Sequence, residues 1–292
     1  MSMMERIEAP APPPGEPVRR GSEAHLRLFC RTLLDTHDPY RPALIRWPKL
    51  DEETRRRIVS LPVWDMAVAA EGRTGLYVRL FGETVADPLL KAAVEMDAFE
   101  ESRHKLVLSD LVAAYDIAIE PEPEALPPRD AEWAFMRAGY SECIDSVFGF
   151  GLFRLAEDTG FFPPELVDTF EPVMREEARH ILFFVNWAAW YRKNLPWWRR
   201  PAFFFKTLAV WAFLIWERIG IARGIDAGGE AQDANFTMTG SGAVGIELKP
   251  RELMELCLAE NDRRMAGYDP RLLRPMAVPR MARLARKLLP KG

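Results

Sequence analysis

The sequence predicts an all-α protein whose core is a four-helix bundle of two antiparallel hairpins. Three observations carry this expectation. Two five-residue segments nearly repeat each other, Glu100-Glu101-Ser102-Arg103-His104 and Glu176-Glu177-Ala178-Arg179-His180, 76 positions apart. Each repeat is preceded by a segment that reads as a helix and then by a turn. No strand-rich region is visible in the 292 residues.

Each repeat contains Glu-x-x-His. Residues three apart share one face of a helix, so Glu101 with His104, and Glu177 with His180, each present an oxygen and a nitrogen ligand side by side. A single Glu-x-x-His arises by chance and is usually a solvated surface pair. Two copies sharing Glu-Glu-x-Arg-His are a far stronger signal, and they hold two of the chain's four histidines. A bundle that binds two metals between its helices carries Glu-x-x-His on two helices and a single Glu on each of the others. The repeat therefore predicts a lone Glu on the helix before each copy.

The elements follow in chain order. Residues 1–22 are Pro-rich (EAPAPPPGEP) and are expected to be a disordered tail. No apolar stretch of a secretory signal is visible there. Residues 23–292 are expected to form one all-α domain, with 23–36 a short amphipathic helix and 51–60 another. The metal-binding core spans about 62–192. Its first helix is 62–86, followed by a turn at Asp87-Pro88. Glu71 lies 16 residues before position 87 and Glu101 lies 14 after it, so the two are expected to face each other. Glu83 is too near the turn to reach. Residues 119–130 (IEPEPEALPPRD) hold four prolines and read as the long crossover between hairpins. A dozen extended residues reach roughly 40 Å, about the length of a 27-residue helix.

The second hairpin starts with a helix over 130–159, and a turn spans Gly160 to Pro164. Glu142 lies about 20 residues before the turn's midpoint and Glu177 about 15 after it. Asp145, one turn on along the same face, is the fallback ligand. The expected ligand set is Glu71, Glu101, His104, Glu142, Glu177 and His180. Residues 193–200 (KNLPWWRR) break the bundle and open a helical C-terminal extension, 193–292. Residues 202–216 (AFFFKTLAVWAFLIW) form an apolar helix, too short for a bilayer span of about 20 residues. Residues 224–248 read as a long loop, 249–267 as a helix with Pro250 near its start, and RMARLARKLLPKG as a last amphipathic helix.

The inward faces extend the repeat. The second helix aligns Leu90, Val94, Asp97, Glu101, His104, Leu108, Leu111 and Tyr115. The fourth aligns Leu166, Phe170, Val173, Glu177, His180, Phe184, Trp187 and Tyr191. Both put a Tyr eleven residues beyond the His, which supports internal duplication. The tyrosines are core or rim residues, or else electron-transfer residues. Asp97 either holds a ligand histidine in place or pairs with an arginine. Arg103 and Arg179 read as ion-pair partners on the helix flanks, Cys143 as packing, and His25 and His37 as structural or exposed. Small residues surround Glu71 (Ala67, Gly72, Thr74, Gly75) and Glu142 (Ala138, Gly139, Ser146, Gly149). They either leave a pocket beside the metals or allow close helix packing.

These residues resemble the ferritin-like di-iron carboxylate superfamily, which includes rubrerythrin, the small subunit of ribonucleotide reductase and bacterial di-iron oxidases and oxygenases. The resemblance covers about 62–192 and assigns no subfamily. It implies two iron ions, with manganese an alternative in one or both sites. It implies that Glu101 and Glu177 bridge, that Glu71 and Glu142 are terminal ligands, and that each His binds one ion. It further implies dioxygen activation and an external electron donor such as a ferredoxin or a reductase. The chain has no cysteine pattern for a rubredoxin-type centre, which argues against a full rubrerythrin.

Composition narrows the setting. Net charge is −4, which gives no sign of nucleic-acid binding. Three scattered cysteines argue against a disulfide framework and fit a cytoplasmic protein. The aromatic stretch around Trp187, Trp190, Tyr191, Trp197 and Trp198, with the apolar helix after it, exceeds what a metal core needs. It either lines a hydrophobic tunnel or rests on a membrane through 197–216. The expected function is oxidation or oxygenation of a hydrophobic small molecule: a lipid, an acyl chain or an aromatic compound. The alternatives are iron storage or ferroxidase activity, peroxide removal of the rubrerythrin or manganese-catalase kind, and a bundle with a vestigial site. A homodimer is left open.

Overall fold

The computed structural model describes residues 3–61, 63–121, 126–222 and 249–288. Every regular element among them is helical. The helices are α1 (Met3–Ile7), α2 (Glu23–Asp35), α3 (Glu52–Val59), α4 (Trp64–Thr84) and α5 (Pro88–Ala114). They continue with α6 (Ala131–Asp158), α7 (Pro164–Asn194), α8 (Arg200–Ala222), α9 (Pro250–Ala266) and α10 (Ala277–Leu288).

Local chemistry sets the helix starts. Asp87 accepts from the backbone N–H of Leu89 and Leu90, and Pro88 opens α5 where its missing N–H costs nothing. Asp130 caps α6 by accepting from Trp133 N–H. Pro164 opens α7. Gly160, in the connection before it, has φ 66°, a left-handed conformation that glycine adopts freely.

The four long helices α4 to α7 pack together, α4 on α5 and α6, and α7 on α5 and α6. The hairpin α4–α5 is antiparallel. A Cβ on Gly82 would lie 3.2 Å from Val94, and one on Gly75 would lie 3.2 Å from Ser102. In the second hairpin a Cβ on Gly139 would overlap the Phe184 ring. Gly75 and Gly139 are therefore packing glycines, the second of the two readings open for the small residues. Helix α2 lies against α5 and α7, while α8 and α9 lie against α6. Gly151 shows how close α9 comes, because a Cβ there would overlap the backbone and side chain of Cys257. Gly151→Ala is expected to destabilise the protein by about 1–3 kcal/mol through overpacking, read as a lower midpoint of urea unfolding.

The apolar core falls into two main clusters. One holds Phe81, Val94, Ala98, Phe135, Ile181, Phe184 and Trp187. The other holds Trp64, Val107, Leu111, Phe153, Phe170 and Val173. Between Ala98 and Val107 on α5 the buried residues are ionisable, and α7 buries Glu176, Arg179 and His180 beyond Val173. A polar layer thus crosses the middle of the bundle.

One expectation is corrected here. Residues 3–22 do not trail as a disordered tail. They include α1, whose Arg6 donates to Asp87 at 2.7 Å. Arg271 donates to the carbonyls of Pro12, Pro13 and Glu16 at 3.1, 2.7 and 3.0 Å. Prolines lack an N–H for regular structure, but their carbonyls still accept, and an arginine from the body ties them down. Tyr115 donates to Pro48 O and Tyr191 to Glu132, which fits the core-or-rim reading of the two tyrosines. The predicted loop 224–248 and residues 122–125 of the crossover lie outside the described residues. No helix among the described residues is long and apolar enough to cross a membrane.

Candidate metal centre

Helix α5 supplies Glu101 and His104, and α7 supplies Glu177 and His180. One ligand atom from each lies within 4.8 Å of all the others. The pairing is crossed between helices. His180 Nδ1 is 2.7 Å from Glu101 Oε1, and His104 Nδ1 is 3.0 Å from Glu177 Oε1. The two imidazole centroids are 5.5 Å apart.

The lone glutamates arrive from the other two helices. Glu71 on α4 places Oε2 at 3.6 Å from His104 Nδ1. Its charge also acts on the Glu101 carboxyl, the residue that counting sets opposite it. Glu142 on α6 shares a cavity wall with Glu71, Glu101, His104 and Glu177. Burial, together with the charges of Glu177 and Asp97, pushes the Glu142 carboxyl well above the usual carboxylate range. Asp145, the fallback ligand, is held by Arg218 at 2.8 Å and accepts from Ser141 at 2.9 Å.

Three donor atoms of this cluster, Glu101 Oε1, His104 Nδ1 and His180 Nδ1, are buried and make no hydrogen bond. They sit within contact distance of carboxylates, but not at hydrogen-bonding angles. Each such orphan costs about 1–3 kcal/mol, so three converging on one point need a common partner. A metal ion fits that need in donor type, burial and direction of approach. Without one, protons hold the charge. Burial lowers both imidazoles, but the hydrogen bond to Glu176 and the adjacent Glu177 and Glu71 carboxylates at His104, and the Asp97 charge, the hydrogen bond to Glu100 and the adjacent Glu101 carboxylate at His180, push them well above the usual histidine range. Burial, with the charges of Glu177 and Glu71, pushes Glu101 well up. Cation binding would displace such protons.

Behind the ligands lies a second crossed set. His104 Nε2 is 2.9 Å from Glu176 Oε2, and His180 Nε2 is 2.8 Å from Glu100 Oε2. Arg103 donates to Glu176 at 2.5 Å, and Arg179 donates to Glu100 at 2.5 Å. Each copy of the repeat therefore uses its first Glu to accept from the His and the Arg of the other copy. Burial alone would raise Glu100, but the hydrogen bond and charge of His180, with Arg179, outweigh it and hold Glu100 well below the usual range. These carboxylates accept from the two Nε2–H groups, so an ion that takes the place of the second proton meets the lone pair of each Nδ1. His37 bonds Glu100 at 2.6 Å, and Tyr40 donates to Glu176 at 3.2 Å. His37, Glu100 and Glu176 also cluster as metal-ligand types. Arg103 and Arg179 already neutralise those carboxylates, which leaves no net attraction for a cation.

Several sequence expectations change as a result. Arg103 and Arg179 are ion-paired, but buried inside the bundle rather than on its flanks. His37 belongs to the network around the centre, while His25 is buried and bonded to Asn186 at 2.9 Å. Asp97 is neither the main acceptor of a ligand histidine nor an arginine partner. Its Oδ1 stands 3.7 Å from His180 Nε2, behind Glu100. Burial, raised further by Glu100 and opposed by His180, pushes Asp97 up to about 6. Glu100 and Glu176 were not foreseen, though the repeat itself flagged them, since it extends beyond Glu-x-x-His.

The centre opens on a cavity of about 330 Å³. Its remaining walls are mostly apolar, among them Trp64, Met66, Phe153, Phe161, Phe170 and Met174. Ala67, Thr74, Ala138, Ser146 and Gly149 also line it, so the pocket reading of the small residues holds beside the packing one. Comparison with protein-family models, with curated proteins and with solved structures found no match to this chain. Fold and site together define an all-helical protein with a buried carboxylate–imidazole cluster suited to metal ions.

Proposed function

We propose that the chain is a non-haem di-iron oxidoreductase of the ferritin-like type, which uses dioxygen to oxidise an apolar small molecule. One observation carries this reading: two crossed Glu-x-x-His pairs with orphaned buried donor atoms border an apolar cavity, which Glu101, His104 and Glu177 line. Glu71, Glu101, His104, Glu142, Glu177 and His180 would hold the two ions. The donor set suits iron and equally admits manganese. Bound and reduced, such a pair supplies the electrons that dioxygen needs.

The rest is done by the chain's own residues. Glu100 and Glu176 fix both imidazoles with Nδ1 inward. Trp64, Phe153, Phe161 and Phe170 give the substrate an apolar berth and keep bulk water from the centre. The three cysteines are buried and unpaired, so electrons would come from a separate ferredoxin or reductase. The cavity favours this reading over iron storage and peroxide removal, because neither task needs an apolar space of this size.

The test is dioxygen uptake by iron-loaded protein supplied with a reductant and with candidate acyl or aromatic compounds. Uptake that needs both metal and an apolar compound is the expected result. Absence of uptake with every reductant, or peroxide consumption alone, would refute the reading. A cavity variant sharpens it. A Cβ on Gly149 meets no atom within 4 Å, so Gly149→Leu would fill the cavity without touching a ligand. Helicity and metal content should hold, as leucine gains about 1 kcal/mol of helix propensity over glycine. Substrate-dependent uptake should fall on the order of tenfold or more.

A further inference from the structure

Helix α8 has one face committed to the fold. Phe203, Val210 and Leu214 are buried. Its Glu217 binds Arg137 at 2.8 Å, and Arg218 binds Asp145 at 2.8 Å. Both partners line the cavity, so this helix is fastened directly to the cavity wall.

The opposite face is apolar and open to solvent. Phe204, Phe205, Leu208, Ile215 and Trp216 are exposed, Phe205 by 66%. Ala209 and Ala212 lie between them and are exposed too. These positions recur at three- and four-residue spacing, so they form one stripe along about four turns. No charged residue interrupts it. Lys206 lies at its margin, bound to Asp130 and Glu132 at 2.8 and 2.9 Å. A stripe of this kind is rare on a soluble surface and signals a partner.

Its N-terminal end shows the partner's chemistry. Trp197 and Trp198 are exposed by 74% and 64%. Arg192, Lys193, Arg199 and Arg200 are exposed around them. Four cations at the start of this helix, in a chain whose net charge is −4, are a local concentration, and they call for an anionic counterpart. A second copy of α8 offers none, because its one acid, Glu217, is buried and paired. Indole rings and basic side chains beside an apolar stripe match the interface of a bilayer with anionic headgroups.

We infer that the exposed face of α8, with Trp197, Trp198 and the basic cluster, docks the protein on an anionic lipid bilayer, the helix lying in the plane of the surface. The inference stands apart from the metal reading and is tested without metal chemistry. The experiment is co-sedimentation of the full chain with vesicles of phosphatidylcholine, alone or mixed with phosphatidylglycerol. Binding to the mixed vesicles, weakened by salt, is expected. The triple variant Trp197→Ser, Trp198→Ser, Phe205→Ser should bind roughly tenfold or more weakly, with helicity unchanged because all three side chains are exposed. Lys193→Glu with Arg199→Glu should abolish the preference for phosphatidylglycerol. Wild-type protein that stays in the supernatant with both vesicles would overturn the inference. So would equal, salt-insensitive binding to both. A solution dimer that the triple variant dissociates, without vesicle binding, would overturn it in favour of a second copy.

Discussion

Alanine at Glu101 or at His180 is expected to abolish stoichiometric metal binding while the helices remain. Wild-type protein loaded with iron should carry about two ions per chain, and each variant well under one. The loss should be near complete because the two residues are each other's closest ligand neighbours, 2.7 Å apart across α5 and α7. Either truncation therefore opens the centre at the place where both Glu-x-x-His pairs meet. The fold should survive for a separate reason. The two large apolar clusters lie on either side of the polar layer and lose nothing. Alanine is also the best helix former, and each truncation removes an orphaned buried atom that weakens the metal-free state. Metal analysis and circular dichroism on the same samples decide the matter. Two ions per chain in both variants would show that the ligand assignment is wrong. The rise in melting temperature on iron loading should vanish in parallel, because a ligand that binds only the folded state stabilises it by mass action.

The parts legible in the sequence were those fixed by local geometry. Helical spacing alone joins Glu101 to His104 and Glu177 to His180, and duplication lifts the pairs above chance. Hairpin counting pointed to Glu71 and Glu142; the fold brings Glu71 to 3.6 Å from His104 and sets both on the cavity wall, outside the cluster of Glu101, His104, Glu177 and His180. What counting cannot supply is the crossing of α5 over α7. That crossing decides that Glu100 meets His180 and Arg179, and that Glu176 meets His104 and Arg103. It also brings His37 to Glu100 across 63 positions of sequence. The same limit applies to residues 3–22. Their composition reads as disorder because the anchors, Asp87 and Arg271, lie far along the chain.

Arg103→Ala is expected to destabilise the metal-free protein by about 3–5 kcal/mol, the cost of stranding a buried carboxylate. The side chain is 3% exposed and pairs with Glu176, itself 1% exposed, at 2.5 Å. It also donates to the carbonyls of Asp38 and Tyr40, and its guanidinium lies 3.9 Å from the Tyr40 ring centroid. Its loss would leave Glu176 with His104, the Tyr40 hydroxyl and the more distant Arg179 at 3.7 Å, and two backbone carbonyls without a donor. Adding Glu176→Gln should recover part of that loss, since a neutral amide no longer needs the cation. A double-mutant cycle from urea unfolding isolates the coupling between the two, expected at about 1–3 kcal/mol. The same Gln substitution should cost the loaded protein about 10–100-fold in metal affinity, because the carboxylate orients the His104 imidazole. The two effects then run in opposite directions. Neutralising Glu176 helps an arginine-less fold and harms the metal centre, which a purely structural ion pair would not do. A cost below about 1 kcal/mol for Arg103→Ala would place the pair among solvated surface bridges and remove the crossed network from the account of the site.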